Sequence, residues 1–373
     1  MRRFHYYLYE NFDAGDSYNN PDNPRKYMDD ISDNILSDVV NDVPFSCRLQ
    51  DLYRKYSVDQ INARLEIGLL KRKDPYIVIG SSVFLQEDAG FLRTDFLKKA
   101  RGLVEALEKE REKLTVWAQK IKNGFSAERN LYHILCGTVF DGLFFDCLSQ
   151  KGIISTSRKH PSGLDYILTA YEICPALDCF SRKLLCSYNR FTDGRRTLLS
   201  FGDSDGDRKD FYRFSRQKES GTVPPELTHI QKIWDSFGTD SLRTKLLDET
   251  EHFIKDGDCE PLFSELLVSF GYSDGEKMCV PVYYETDKEI FYEIEKIVEN
   301  CLLGKMETIF SSYRSIGKLV CARHGVAIKE IGNELYHIIF GLTNNELVSR
   351  GFVSSPPYRQ GEGRYFKAVE IME

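Results

Sequence analysis

Apolar positions along this chain fall into helical stripes and short alternating runs, and one succession of the two occurs twice. Phe96, Ala100, Leu103, Leu107, Leu114, Trp117 and Ile121 recur on three- and four-residue steps, broken only at Glu110, with Glu105, Glu108, Lys109 and Arg111 on the other faces. The stripe is short, so a core helix within the chain is expected rather than a coiled coil between chains. Ile290, Ile294, Ile297, Cys301, Ile309, Tyr313, Ile316 and Val320 make a comparable stripe, interrupted near Gly304. A strand precedes each stripe, at 76–85 and 278–284, and an acidic stretch joins strand to helix. In the second half Thr286-Asp287-Lys288-Glu289 reads as a capping box at that junction.

Beyond each stripe lies a shared segment, Leu131-Tyr132-His133-Ile134-Leu135-Cys136-Gly137 and Leu335-Tyr336-His337-Ile338-Ile339-Phe340-Gly341. A Gly-apolar step follows, Gly152-Ile153-Ile154 and Gly351-Phe352-Val353, then a polar tongue containing proline and a closing strand. Thr343-Asn344-Asn345-Glu346 predicts the cap of a short last helix that Gly351 ends. A four-residue identity arises about once by chance in a chain this long, so the order of the flanking elements carries the inference. The reading is an internal duplication whose two copies pack as a pseudo-dimer through their long helices.

Ser46 to Ile79 adds a local motif. Leu49, Leu52, Tyr53 and Tyr56 share one helical face, and Ser57-Val58-Asp59-Gln60 is a capping box for a second helix with Ile61 and Leu65 inward. Gly68-Leu69-Leu70, the basic turn Lys71-Arg72-Lys73-Asp74-Pro75 and the strand Tyr76–Ile79 follow. This order resembles a winged helix-turn-helix at the level of fold. The expected class is therefore α+β, with winged-helix-like units and long amphipathic helices. Residues 184–216 predict β-hairpins about Asp193-Gly194, with the aromatic alternation near Phe211 as a further strand. The stretch 218–226, with Gly221 and Pro224-Pro225, is the expected linker between an N-terminal domain 1–217 and a C-terminal domain 227–373.

Composition narrows the function. The first ten residues lack the apolar run of a signal peptide, and no run of about 18 uninterrupted apolar residues predicts a membrane span. Ten cysteines without such a leader read as reduced thiols, and the expected location is cytoplasmic. A net charge of −7 disfavours a sequence-independent nucleic-acid coat but leaves room for local basic patches.

Catalytic chemistry finds little support. Gly202-Asp203-Ser204-Asp205-Gly206 matches G-x-S-x-G and resembles the Gly-Asp-Ser opening of GDSL-type hydrolases. The segment after it reads as a strand, and neither His229 nor His252 sits in an Asp-x-x-His setting, so a hairpin turn is expected. Asp203, Asp205 and Asp207 lack the Gly and Glu positions of a calcium loop, and Asp13 and Asp16 suit an Asx-rich turn. Cys174, Cys179 and Cys186 lack zinc spacing, and His133 and His337 suit packing. No catalytic residue, metal or cofactor is assigned.

Basic residues interleaved with aromatics remain: Lys71, Arg72 and Lys73; Arg158 and Lys159; Arg190, Arg195 and Arg196; Arg359 and Arg364. All but the third group fall at wing-like tips, where contact with phosphates of duplex DNA is expected. The alternatives are a protein-interaction subunit or a homodimer through the long helices.

Overall fold

Side-chain caps set where several helices begin, and left-handed glycines set where several end. The computed structural model describes residues 2–10, 23–41, 46–181, 184–203, 209–311, 316–356 and 365–372. Strand β1 (Phe4–Glu10) precedes helices α1 (Asp30–Asn41), α2 (Leu49–Tyr53) and α3 (Val58–Glu66). The predicted capping box opens α3: Ser57 Oγ accepts from Gln60 N at 3.2 Å, and Gln60 Oε1 accepts from Ser57 N at 2.9 Å. Gly68, at φ +72°, ends that helix and turns the chain into the hairpin β2 (Leu70–Lys73) and β3 (Tyr76–Ile79).

After β4 (Ser82–Phe84) the chain is helical through Ala89–Phe91, a π turn at Leu92–Phe96, α4 (Leu97–Glu108) and α5 (Arg111–Ala118). Phe96, Ala100, Leu103, Leu107 and Leu114 are buried as the stripe predicts. The break before Arg111 rotates the last turn, so that Ala118 points inward while Trp117 is half-buried beneath the Lys120 ammonium. The first shared segment runs through α6 (Ala127–His133), a π-helix at Ile134–Leu143 and α7 (Phe144–Gln150). Five more residues separate Leu131 from Gly152 than Leu335 from Gly351, and the wider π turns take up extra residues without breaking the helix. Among the described residues, the run Ala127–Gln150 is long and apolar enough to cross a membrane, yet most of its apolar stretch is buried within the protein.

Strands β5 (Tyr166–Glu172), β6 (Leu185–Thr192) and β7 (Arg196–Asp203) come next, the last two joined by the predicted Asp193-Gly194 turn. The aromatic segment beyond them is helix α8 (Phe211–Ser220), not a strand. Asp210 caps it by accepting from Arg213 N at 2.8 Å, and Phe211 and Phe214 bury one helical face. Helices α9 (Thr228–Phe237), α10 (Thr239–Asp256) and α11 (Pro261–Ser269) precede β8 (Val282–Tyr284). The remaining elements are α12 (Lys288–Ser311), α13 (Val320–Arg323), α14 (Ile328–Ser349) and β9 (Tyr365–Ile371).

Two predicted caps are corrected. Tyr284, not Thr286, opens the helical run to α12: Tyr284 N donates to Asp287 Oδ2 at 2.9 Å, as Leu85 N does to Asp88 Oδ2 at 2.9 Å after β4. The Thr343–Glu346 cap does not form. Thr343 Oγ1 donates back to Ile339 O at 2.8 Å, and α14 continues through that stretch to Ser349.

The chain divides into two compact units, each made of discontinuous segments. Unit 1 holds Met1–Ala106, Phe144–Arg182 and Asn300–Thr343; unit 2 holds Leu107–Leu143, Lys183–Glu299 and Asn344–Glu373. The stretch 218–226, expected as a linker, lies wholly within unit 2.

Unit 1 has a three-stranded sheet ordered β1-β5-β4, with β1 antiparallel and β4 parallel to β5. In unit 2 the order is β6-β7-β9-β8, with β7 antiparallel and β8 parallel to β9. Around the unit 2 sheet, Phe191, Leu198, Phe211, Trp234, Leu246, Phe263 and Phe270 belong to one apolar core.

Candidate nucleic-acid interface

The hairpin after α3 places three cations on its outer edge. Leu70 is buried, and Lys71, Arg72 and Lys73 are exposed. Register fixes their neighbours: Lys71 pairs with Val78, Arg72 with Ile77 and Lys73 with Tyr76. On the opposite side Arg48 bridges the same Tyr76, and Ile77 N donates to Cys47 O at 2.8 Å. Tyr76 therefore lies half-buried in a cross-strand row between Arg48 and Lys73. Arg72 Nε donates to Asp74, while Arg48, Lys71 and Lys73 have no ion pair among the described residues.

Helix α3 presents a different surface. Its outward positions are Val58, Asp59, Asn62 and Glu66, and its one arginine, Arg64, is buried. Arg64 donates to Asp29 at 2.6 Å and to Ser32 at 2.9 Å, which ties α3 to the start of α1. In the turn between α2 and α3, Arg54 pairs with Asp51 and Lys55 with Asp38. The free positive charge thus sits on the hairpin and Arg48, not on the helix.

The other predicted groups divide. Arg158 is drawn inward within unit 1: Nη1 donates to Gly80 O at 2.8 Å and Glu330 Oε2 at 2.7 Å, and Nη2 to Gly68 O at 3.1 Å. Lys159 is exposed, next to His160, which stacks on Tyr166 with ring centroids 3.7 Å apart. Burial pushes His160 down to about 4, with the charge of Arg158 adding to the effect.

In unit 2, Arg196 is buried and pairs with Asp193, Asp248 and Glu251, while Arg195 pairs with Glu251. These pairs leave the hairpin turn with little uncompensated charge. Arg190 is exposed and lies near enough to Glu370 to lower its pKa, against the burial that raises it. Arg359 and Arg364 lie outside the described residues, as does Ser204 of the Gly-Asp-Ser stretch.

Unit 2 carries its own hairpin after α11, closed by the Ser273–Met278 bridge. Its exposed turn is Asp274-Gly275-Glu276-Lys277, where Asp274 Oδ1 accepts from Glu276 N and Lys277 N, each at 2.9 Å. Those backbone donors hold the Asp274 carboxyl below its ordinary pKa, so it is ionised.

The two motif histidines pack, as expected, but differently. His337 Nδ1 lies 2.8 Å from Asn333 O, and its ring stacks on Tyr9 at 4.5 Å. Beside it Glu334 accepts from Tyr9 Oη at 2.6 Å and from Tyr171 Oη. His133 in unit 2 packs against Phe366 at 4.0 Å, and neither ring nitrogen has a hydrogen-bond partner among the described residues. Burial holds it well below its ordinary pKa, helped by the charge of Arg129, so its ring is neutral.

Among the described residues no three His, Cys, Asp or Glu side chains come together as a metal site. Sequence reasoning missed Arg48 and the role of Tyr76. A single bridging residue carries no periodicity, so no pattern in the chain marks Arg48 as a strand edge. No protein-family model, curated protein or solved structure matches the chain.

Proposed function

We propose that the chain is a fused tandem duplication, a pseudo-dimer of two winged-helix-like copies that exchange segments. Support comes from the matching order of elements. Copy 1 runs β1, helices, hairpin, β4, the Asp88 cap, long helices, motif helix and β5. Copy 2 runs β7, helices, hairpin, β8, the Asp287 cap, long helix, motif helix and β9. The motif helix of each copy belongs to the compact unit of the other: 107–143 to unit 2 and 300–343 to unit 1. Each tongue then meets the motif helix from the other copy, Ser155 N on Lys329 O at 2.9 Å and Ser354 N on Glu128 O at 3.1 Å.

The function we infer for unit 1 is contact with the phosphates of duplex DNA through Arg48, Lys71, Arg72 and Lys73, without α3 reading bases in the major groove. The single observation that carries this is the row Arg48–Tyr76–Lys73, edged by cations that have no ion pair among the described residues. Asp59 and Glu66 on α3 would face phosphates with like charge, so binding rests on the hairpin and is independent of sequence.

Titration of a mixed-sequence duplex against salt tests it. Four phosphate contacts give a log–log slope of about −3.6, and each neutralised contact removes about 0.9. Binding that is absent at low salt, together with a co-purifying protein, overturns the proposal. That result favours the protein-interaction reading, which the acidic hairpin of unit 2 beside exposed Val268 already suits.

A further inference from the structure

We propose that Arg158 is a positioning residue for the hairpin β2–β3, holding it in place through Glu330 rather than touching nucleic acid itself; this rests on the hairpin being the phosphate-contacting element. The hairpin leaves two root carbonyls over, Gly68 O where α3 ends and Gly80 O just beyond β3. One guanidinium takes both, at 3.1 and 2.8 Å, and its Nη1 also reaches Glu330 Oε2 on α14 at 2.7 Å. Root and motif helix are thereby joined through a single planar group with fixed donor directions.

The surrounding chain is shaped to admit that group. A Cβ on Gly68 would lie 2.0 Å from Arg158 Nη2 and 2.6 Å from His160 Cε1, and the backbone there is already at φ +72°. On Gly80 a Cβ would lie 2.5 Å from Gly68 O. Tyr166 Oη donates to Ile67 O at 3.1 Å, so the carbonyl preceding the root is held by β5. The tongue bearing Arg158 is itself fixed to α14: Ser155 N donates to Lys329 O at 2.9 Å, and Asn333 Nδ2 donates to Ser155 O at 2.9 Å. A phosphate contact by Arg158 would strip both carbonyls and Glu330 of their shared donor. Lys71, Arg72 and Lys73 lie beyond the root on the exposed strand, so the angle at which they meet a ligand is set where Arg158 sits.

The test uses the full chain, a labelled mixed-sequence duplex, and the variants Arg158→Gln and Glu330→Gln. A positioning role weakens binding in both, on the order of tenfold for Arg158→Gln, while the salt slope stays at its wild-type value because no phosphate contact is lost. The proposal is overturned if Arg158→Gln lowers the slope by about 0.9 and Glu330→Gln, which frees the arginine, leaves binding unchanged or tighter. Amide exchange without DNA gives a second readout. Arg158→Gln should speed exchange at Gly80, whose N–H donates to Leu69 O across the root at 2.9 Å, relative to the β1–β5 amides, and unchanged protection there also overturns the inference. If the wild type shows no salt-dependent binding, the DNA reading falls by itself and the exchange experiment still decides the role of Arg158.

Discussion

The hairpin after α3 and the hairpin after α11 share a backbone plan and differ in charge. Each follows a glycine in the left-handed region, Gly68 at φ 72° and Gly271 at φ 68°. Each is closed by one equivalent bond, Gly80 N to Leu69 O at 2.9 Å and Cys279 N to Tyr272 O at 2.8 Å. Between those anchors unit 1 places three cations and one acid, and unit 2 places two acids and one cation. The sheet faces diverge in the same sense. Aligned by their Asp88 and Asp287 caps, the strands set Tyr7, Tyr9, Thr169 and Ser82 of unit 1 against Leu199, Phe201, Ala368 and Pro281 of unit 2. Glu334, which gathers two tyrosine hydroxyls, corresponds to Asn130, which takes the Tyr283 hydroxyl at 3.1 Å. The two sheets thus share strand order, hairpin closure and Asp caps while one carries a polar lining and the other an apolar one.

That comparison breaks most visibly at the motif leucines. Leu131→Ala and Leu335→Ala both empty fully buried sites, and each should cost about 3 to 4 kcal/mol in chemical denaturation. Costs that differ by more than about 2 kcal/mol would mean that the two positions are not equivalent. Glu334→Ala leaves the Tyr9 and Tyr171 hydroxyls without their acceptor and should cost about 3 kcal/mol, against about 1.5 kcal/mol for Asn130→Ala. The reverse order would remove the contrast between linings.

Acid should act by a smaller amount, through the buried histidines. His133 has its pKa lowered in the folded state, so the unfolded chain binds the proton more readily. Its contribution is whole above about pH 6.5 and is lost as pH falls below that, at up to about 1.4 kcal/mol per pH unit. His133→Phe should flatten this part of the pH profile. His160 and His324, each pushed to about 4 chiefly by burial, keep the same trend in unit 1. Asp88 opposes it, because burial raises its carboxyl to about 6, so its contribution declines between about pH 4 and 6 as pH rises. The smallest effect is expected at the tips: Lys73→Ala and Glu276→Ala should each change stability by less than about 0.5 kcal/mol, and only Lys73→Ala should alter DNA binding.

Much of the local plan was legible in the chain. Ser57 and Gln60 announced the α3 cap, Asp193-Gly194 the β6–β7 turn, and the leucines of the stripe their buried face. Phe211 to Phe214 misled because aromatic residues at short spacing suit a strand, whereas the decisive Asp210 cap acts through one hydrogen bond. Thr343 misled for the opposite reason, since a hydroxyl that can cap a helix can also bond back within one. Arg158 looked like a tip charge because spacing along the chain says nothing of the Gly68 and Gly80 carbonyls it meets. Membership of the units was also out of reach. The two segments share Leu-Tyr-His-Ile, and nothing in that local pattern says which compact unit each joins.

On the proposed duplication, the traded segments 107–143 and 300–343 make the halves mutually dependent for completion. A single-copy ancestor would need a second chain to supply its missing helix, and its folding would follow protein concentration. Fusion turns that encounter into an intramolecular one at a fixed effective concentration. The unfolding midpoint should therefore not move on dilution. Selection is also released from keeping both halves identical, which lets one turn become basic and the other acidic inside a single gene product.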